Sequence, residues 1–125
     1  MTVLLDTHIV LWWLASDAAL SADATRVIRD GSNRVFVSAA TAWEIAIKQA
    51  LGKLNAPADL EAAIEASHLE TLPVSVPHAV AAGVLPKYHA DPFDRMLVAQ
   101  AQLERLTLLT HDRRLREYGN FVKLV

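Results

Sequence analysis

Tyr88 to Asp112, reading YHADPFDRMLVAQAQLERLTLLTHD, is the stretch that decides the fold. Asp91, Pro92, Phe93 and Asp94 form a helix start: an acid at the cap, proline at the first helical position, and a second acid where the helix dipole is positive. A largely apolar helix follows, then a predicted strand over Leu106 to Leu109 that ends in Thr110, His111 and Asp112. A chain leaving the carboxyl end of a parallel strand enters the crevice where open α/β sheets bind their ligands, and Asp112 belongs in that crevice. The N-terminus repeats the arrangement, because Val3, Leu4 and Leu5 form a short apolar strand and Asp6 and Thr7 stand at its end. Two strand-ending aspartates and Asp94 can thus converge on one mouth.

The 125 residues fit one domain, 1–125, and 53% hydrophobic composition is ample for a buried core. A net charge of −2 gives no electrostatic sign of nucleic-acid binding, so a polyanion would need local Lys and Arg or a bound metal. Without cysteine there can be no disulfide, thiolate zinc site or cysteine nucleophile. The apolar N-terminus lacks a leading positive charge and is broken by Asp6 and His8, which makes it a poor secretory signal, and no apolar run is long enough to span a membrane. A cytoplasmic protein is expected.

Outward from the deciding stretch, helices alternate with short apolar strands. His8 to Ala15 is apolar nearly all round, with Trp12 and Trp13 adjacent. Side chains about 100° apart on a helix cannot easily share one core. The pair marks either a tightly enclosed helix or a surface for another subunit or a partner. Ser21 starts a helix over Ala22–Arg29, a strand follows over Arg34–Val37, and a long helical pattern runs from Ser38 to Leu51, with Trp43, Ile47 and Ala50 as its apolar positions and Gly52 as its stop. Pro57 opens a further helix, Leu72 to Val74 reads as a strand, Pro77 starts a helix ending near Gly83, and Pro86 marks a loop. After Asp112 the basic RRLREYG segment reads as helical, and Phe121 to Val125 as a last strand. No hairpin signal interrupts this alternation. The expected architecture is a three-layer α/β/α sandwich around a mostly parallel sheet.

The candidate functional residues are Asp6, Glu44, Asp94 and Asp112, with Asp91 as a fifth acid. Each has an ordinary structural use. Asp6, Asp91 and Asp112 stand where helix caps belong, and Glu44 can pair with Thr41 three residues earlier or with Lys48 four residues later. Gathered in one crevice, however, like charges repel and require a cation. Carboxylate oxygens select hard metals, so the set suits one or two Mg²⁺ or Mn²⁺ ions, which activate water for in-line attack on a phosphodiester. The hydroxyls of Thr7 and Thr110 can orient a ligand carboxylate or a water, but they are expected chiefly as caps. His8, His89 and His111 are not needed by hard-metal chemistry, and Lys48, Lys53, Arg95, Arg113 and Arg114 are candidates for phosphate contact.

Four motifs in order, LLDTHIVLWWL, SAATAWEIAIKQALGKL, HADPFDRMLVAQA and LTLLTHD, make the chain resemble the PIN-domain ribonucleases, specifically the toxin halves of VapBC-type toxin–antitoxin pairs. The resemblance spans nearly the whole chain. It implies a Mg²⁺- or Mn²⁺-dependent endoribonuclease acting on RNA, whose metal-binding and catalytic acids correspond to Asp6, Glu44, Asp94 and Asp112, with Asp91 as a cap. It also implies a homodimer held inactive by a cognate antitoxin protein. Two enzyme folds with acids at strand ends fit less well: a phosphoacceptor receiver needs an acid after its third strand, where Val74 to Pro77 has none, and a dehalogenase-type phosphatase needs Asp-x-Asp, where His8 stands second. A non-catalytic partner-binding module, its acids serving only as caps, is the alternative from another class.

Overall fold

The computed structural model describes all 125 residues. In chain order the elements are β1 (Thr2–Leu5), α1 (Thr7–Leu14), α2 (Ala22–Arg29), β2 (Arg34–Ser38), α3 (Ala39–Ala50), α4 (Leu60–Ala66), β3 (Glu70–Leu72), α5 (Val76–Val84), α6 (Pro92–Glu104), β4 (Thr107–Thr110), a 3-10 helix (Arg113–Tyr118) and β5 (Val122–Leu124). Successive strand residues face opposite ways, so an apolar run buries both faces of a sheet. Val3 and Leu5 pack with Ile9, Val10, Ala24, Ile28, Ile45 and Ile64 from the first four helices. Leu4, between them, packs on the other face with Leu97, Val98 and Ala101 of α6. Val35 and Val37 against Phe36, and Leu109 against Leu108, repeat the same division. The sheet therefore lies between two helical layers, as expected.

All four strand pairings are parallel, in the order β3-β2-β1-β4-β5, so the sheet is fully parallel where only a mostly parallel one was expected. Strand order reverses between β1 and β4, and a reversal point in an open parallel sheet leaves a crevice at the strands' carboxyl ends. Leu5 sits in register with Leu109. Asp6 and Thr110 consequently leave the sheet side by side. No helix is long and apolar enough to cross a membrane.

Three sequence expectations need correction. The helix expected to open at Pro57 starts at Leu60, because Asp59 provides the cap, accepting from the Ala62 N–H at 3.0 Å. The third strand is Glu70–Leu72 rather than Leu72–Val74. Pro73 has no N–H for the ladder, and the strand ends before it. The buried residues of α3 are Ala40, Thr41, Glu44 and Ile45, whereas Trp43, taken as an apolar core position, is 65% exposed. Counting apolar residues misjudged that helix because part of its inward face is polar. Trp12 and Trp13 are part-buried and pack against the core on the α1 side of the sheet. Gly52, at φ +70°, ends α3 in the conformation that glycine adopts without strain.

Candidate active site

Asp6 is 4% exposed and caps α1, its Oδ1 accepting from the Ile9 N–H at 2.9 Å. Its other oxygen accepts from the Thr110 hydroxyl, and that same hydroxyl oxygen accepts from the Asp112 N–H at 3.0 Å. Thr110 is therefore a link between the ends of β1 and β4, and not the cap expected of it. Burial pushes the Asp6 carboxyl above its ordinary value, with the Thr110 and Ile9 hydrogen bonds opposing.

Glu44 is also 4% exposed. Of its two expected pairings the one with Lys48 forms, at 2.6 Å, but on the buried side of the helix. The other oxygen accepts from Thr7 at 2.7 Å, and Thr7 in turn lies 3.1 Å from the Thr41 hydroxyl. Thr7, like Thr110, orients a carboxylate. A buried acid with both oxygens engaged has its direction set from two elements: α3, through its own backbone and Lys48, and α1, through Thr7.

Asp91 is the cap of α6, as expected: one oxygen accepts from the N–H groups of Phe93 at 2.8 Å and Asp94 at 3.1 Å. Asp94 lies in the first turn, and its carboxylate has no lysine or arginine partner; the His89 ring nitrogen lies 3.3 Å away. Burial, followed by the charges of Asp91, Asp6 and Glu44, raises its pKa to about 7, with His89 opposing. Asp112 is the opposite case. Arg114 grips both its oxygens, at 2.9 and 3.1 Å, the Arg114 N–H adds a bond at 3.0 Å and His89 another at 2.9 Å, so its carboxyl is held well below the ordinary range.

His89, expected to play no part, joins the two ends of the deciding stretch. Its Nε2 and one oxygen each of Asp94 and Asp112 lie within 4.8 Å of one another. Asp6 and Glu44 are near enough for their charges to act on Asp94. Arg95 also departs from expectation. Its guanidinium is spent on the backbone carbonyls of Ala82 (2.9 Å), Leu85 (2.9 Å), Pro86 (3.1 Å) and His89 (3.3 Å), so it ties the end of α5 and the following loop to α6 instead of offering itself to phosphate. Proline at Pro86 and the cap at Asp91 identify that loop in the sequence, but nothing local identifies the clasp.

Carboxylates crowded so that three of them raise the proton affinity of Asp94, with oxygen as the dominant donor, form a set that suits a hard cation. The chain belongs to the PIN-domain family, whose family model matches residues 3–120. Ribonuclease VapC22 of Mycobacterium tuberculosis is 33% identical over 120 residues, spanning 94% of this chain and 92% of that protein. Among solved structures the fold is similar to VapBC2 of Rickettsia felis bound to a DNA fragment from their promoter, with a TM-score of 0.70 at 16% identity over 100% of this chain and 98% of that one. A toxin–antitoxin complex from Klebsiella pneumoniae is equally similar, with a TM-score of 0.70 at 19% identity over 97% and 95% of the two chains.

Proposed function

We propose that the chain is a Mg²⁺- or Mn²⁺-dependent endoribonuclease, a one-domain toxin that hydrolyses RNA phosphodiester bonds in the cytoplasm until a cognate antitoxin silences it. One observation carries this reading: a carboxylate, Asp94, is part-buried among Asp91, Asp6 and Glu44 with no lysine or arginine to pair with it. Such a group costs stability in a protein that has no use for a cation. The alternative module, whose acids only cap helices, accounts for Asp6, Asp91 and Asp112, each of which does cap. It leaves Glu44 and Asp94 without a purpose.

In this reading Asp6, Glu44, Asp94 and Asp112 hold the metal and are the catalytic acids. When bound, the cation supplies an acidified water as nucleophile and a positive charge that offsets the scissile phosphate. The protein's own work is orientation. Thr110 turns Asp6, Thr7 and Lys48 turn Glu44, and the Asp91 cap sets the angle at which Asp94 enters the crevice. Lys48 and Arg114, with side chains 40% and 69% exposed, carry the positive charge nearest the acids and draw in the RNA backbone.

The named relatives support an antitoxin partner, since the similar structures are described as toxin–antitoxin assemblies. A homodimer is supported by exposed apolar side chains at helical spacing on α5, namely Val76, Val80 and Val84 at 76%, 64% and 79%, a stripe that water alone rarely faces. The test of the activity is incubation of antitoxin-free protein with total cellular RNA in Mg²⁺ or Mn²⁺ and in excess chelator, beside folded Asp6→Asn and Asp94→Asn proteins. Discrete fragments requiring metal and both aspartates are expected. Intact RNA in every lane would leave the capped binding module as the better account.

A further inference from the structure

His89 is the first residue of the HADPFDR motif that carries two of the acids, and it is fixed from every side. Its N–H donates to the Tyr118 hydroxyl at 3.2 Å, its carbonyl accepts from Arg95 at 3.3 Å, and its ring is 5% exposed. The Tyr118 hydroxyl in turn donates to the Pro86 carbonyl at 2.7 Å, which anchors the same loop. The ring nitrogens have unlike neighbours. Nδ1 stands 3.1 Å from the backbone nitrogen of Asp91, a group that can only donate, so Nδ1 is the acceptor and the neutral ring carries its proton on Nε2. That proton is directed at Asp112 Oδ2, 2.9 Å away, with Asp94 Oδ2 at 3.3 Å.

We propose that His89 is a positioning residue for the metal site: a donor that turns the Asp94 and Asp112 carboxylates toward each other, and not itself a metal ligand. The inference rests on the metal-dependent nuclease reading above and extends it to a residue outside the four acids. For Nε2 to ligate, its proton would have to leave or move to Nδ1, where it would face the Asp91 N–H donor to donor. The arrangement therefore disfavours ligation by the same contact that makes Nε2–H a donor. Asp94 and Asp112 sit on different elements, at the start of α6 and after β4; Arg114 holds the Asp112 carboxylate, whereas that of Asp94 has no lysine or arginine to fix its rotation. A donor hydrogen-bonded to Asp112 and standing 3.3 Å from Asp94 keeps the two carboxylates together before a cation arrives, and groups that orient metal-binding carboxylates are worth roughly tenfold to a hundredfold in metal affinity.

The experiment titrates Mn²⁺ by calorimetry into the wild type, His89→Gln, His89→Leu and Asp94→Asn. A thermal melt of each confirms folding, and proton–nitrogen NMR of the imidazole is recorded with and without Mg²⁺. Glutamine restores an N–H donor at the same reach, and leucine restores only the bulk. Expected are Nε2–H in the metal-free protein that persists in Mg²⁺, Mn²⁺ affinity within about threefold of wild type for His89→Gln, and a loss of roughly tenfold or more for folded His89→Leu. Unchanged affinity in His89→Leu would overturn the proposal. So would a proton on Nδ1, or an Nε2 proton that disappears when Mg²⁺ is added, which marks direct ligation. A wild type that binds no Mn²⁺ refutes the metal-dependent reading itself and His89's role with it, whereas binding by wild type with no loss in His89→Leu refutes His89's role alone.

Discussion

Asp94→Asn is expected to make the metal-free protein more stable while removing its nuclease activity. Burial and the charges of Asp91, Asp6 and Glu44 move this carboxyl from 3.8 to about 7. At about 1.4 kcal/mol per pKa unit, keeping it ionised at pH 8 costs the fold on the order of 4 kcal/mol. Water reaches about a quarter of the side chain (24%). With that screening, a gain of about 2–4 kcal/mol at pH 8 is the expected result for the neutral, nearly isosteric amide. The sign follows from the direction of the shift: a carboxyl whose folded pKa is raised costs nothing below its unfolded pKa, where both states are protonated. The penalty then grows as pH rises through the interval from 3.8 to about 7. The advantage of Asp94→Asn should therefore shrink to about 1–2 kcal/mol near pH 5. Urea unfolding of both proteins in excess chelator at the two pH values measures this, given equal denaturant slopes. An advantage that does not change between pH 5 and pH 8, or a variant less stable than wild type at pH 8, would refute the electrostatic account of the crevice.

Saturating Mn²⁺ should offset most of that advantage, raising the wild-type melting temperature by an amount equivalent to about 2.7 kcal/mol at a hundredfold excess over Kd and leaving Asp94→Asn nearly unmoved; equal shifts in both would place the metal elsewhere. Arg95→Ala should lose about 2–4 kcal/mol in chemical denaturation, because its four carbonyl partners are left behind, and Arg95→Lys should recover little, since an ammonium cannot reproduce the planar fork. Arg114→Gln removes the largest cause of the lowered Asp112 pKa. A depressed carboxyl contributes stability above its unfolded pKa that is lost as pH falls, so the variant's stability should fall less than wild type's on acidification from pH 6 to pH 3, read by denaturation at each pH. Val80→Lys, in the middle of the exposed α5 stripe, should shift sedimentation from dimer to monomer without lowering the melting temperature of the monomer.

Much of the fold was legible because its signals are local. Each apolar strand run is short enough to be bounded by its own acids, prolines and glycine, and each helix cap needs only the next two or three N–H groups. The caps at Asp6, Asp91 and Asp112 were readable for that reason, and so was the alternation that makes a parallel sandwich. Less legible was α3. Hydrophobic counting assigns its inward face to Trp43 because it assumes that buried means apolar, and there the buried residue is Glu44.

By itself, then, the sequence determined the elements, their parallel alternation and the acids standing at the strand and helix ends. The tertiary structure decided what those acids touch: Thr110 closing onto Asp6, Thr7 onto Glu44, Arg114 and His89 onto Asp112, and Arg95 turned away from solvent into a carbonyl cradle. Thr110 and Asp6 are 104 residues apart in the chain, and they meet only because β4 lies beside β1. Strand order is a property of the whole packed sheet, and hydrogen bonds made across it leave no periodic trace in the residues that make them.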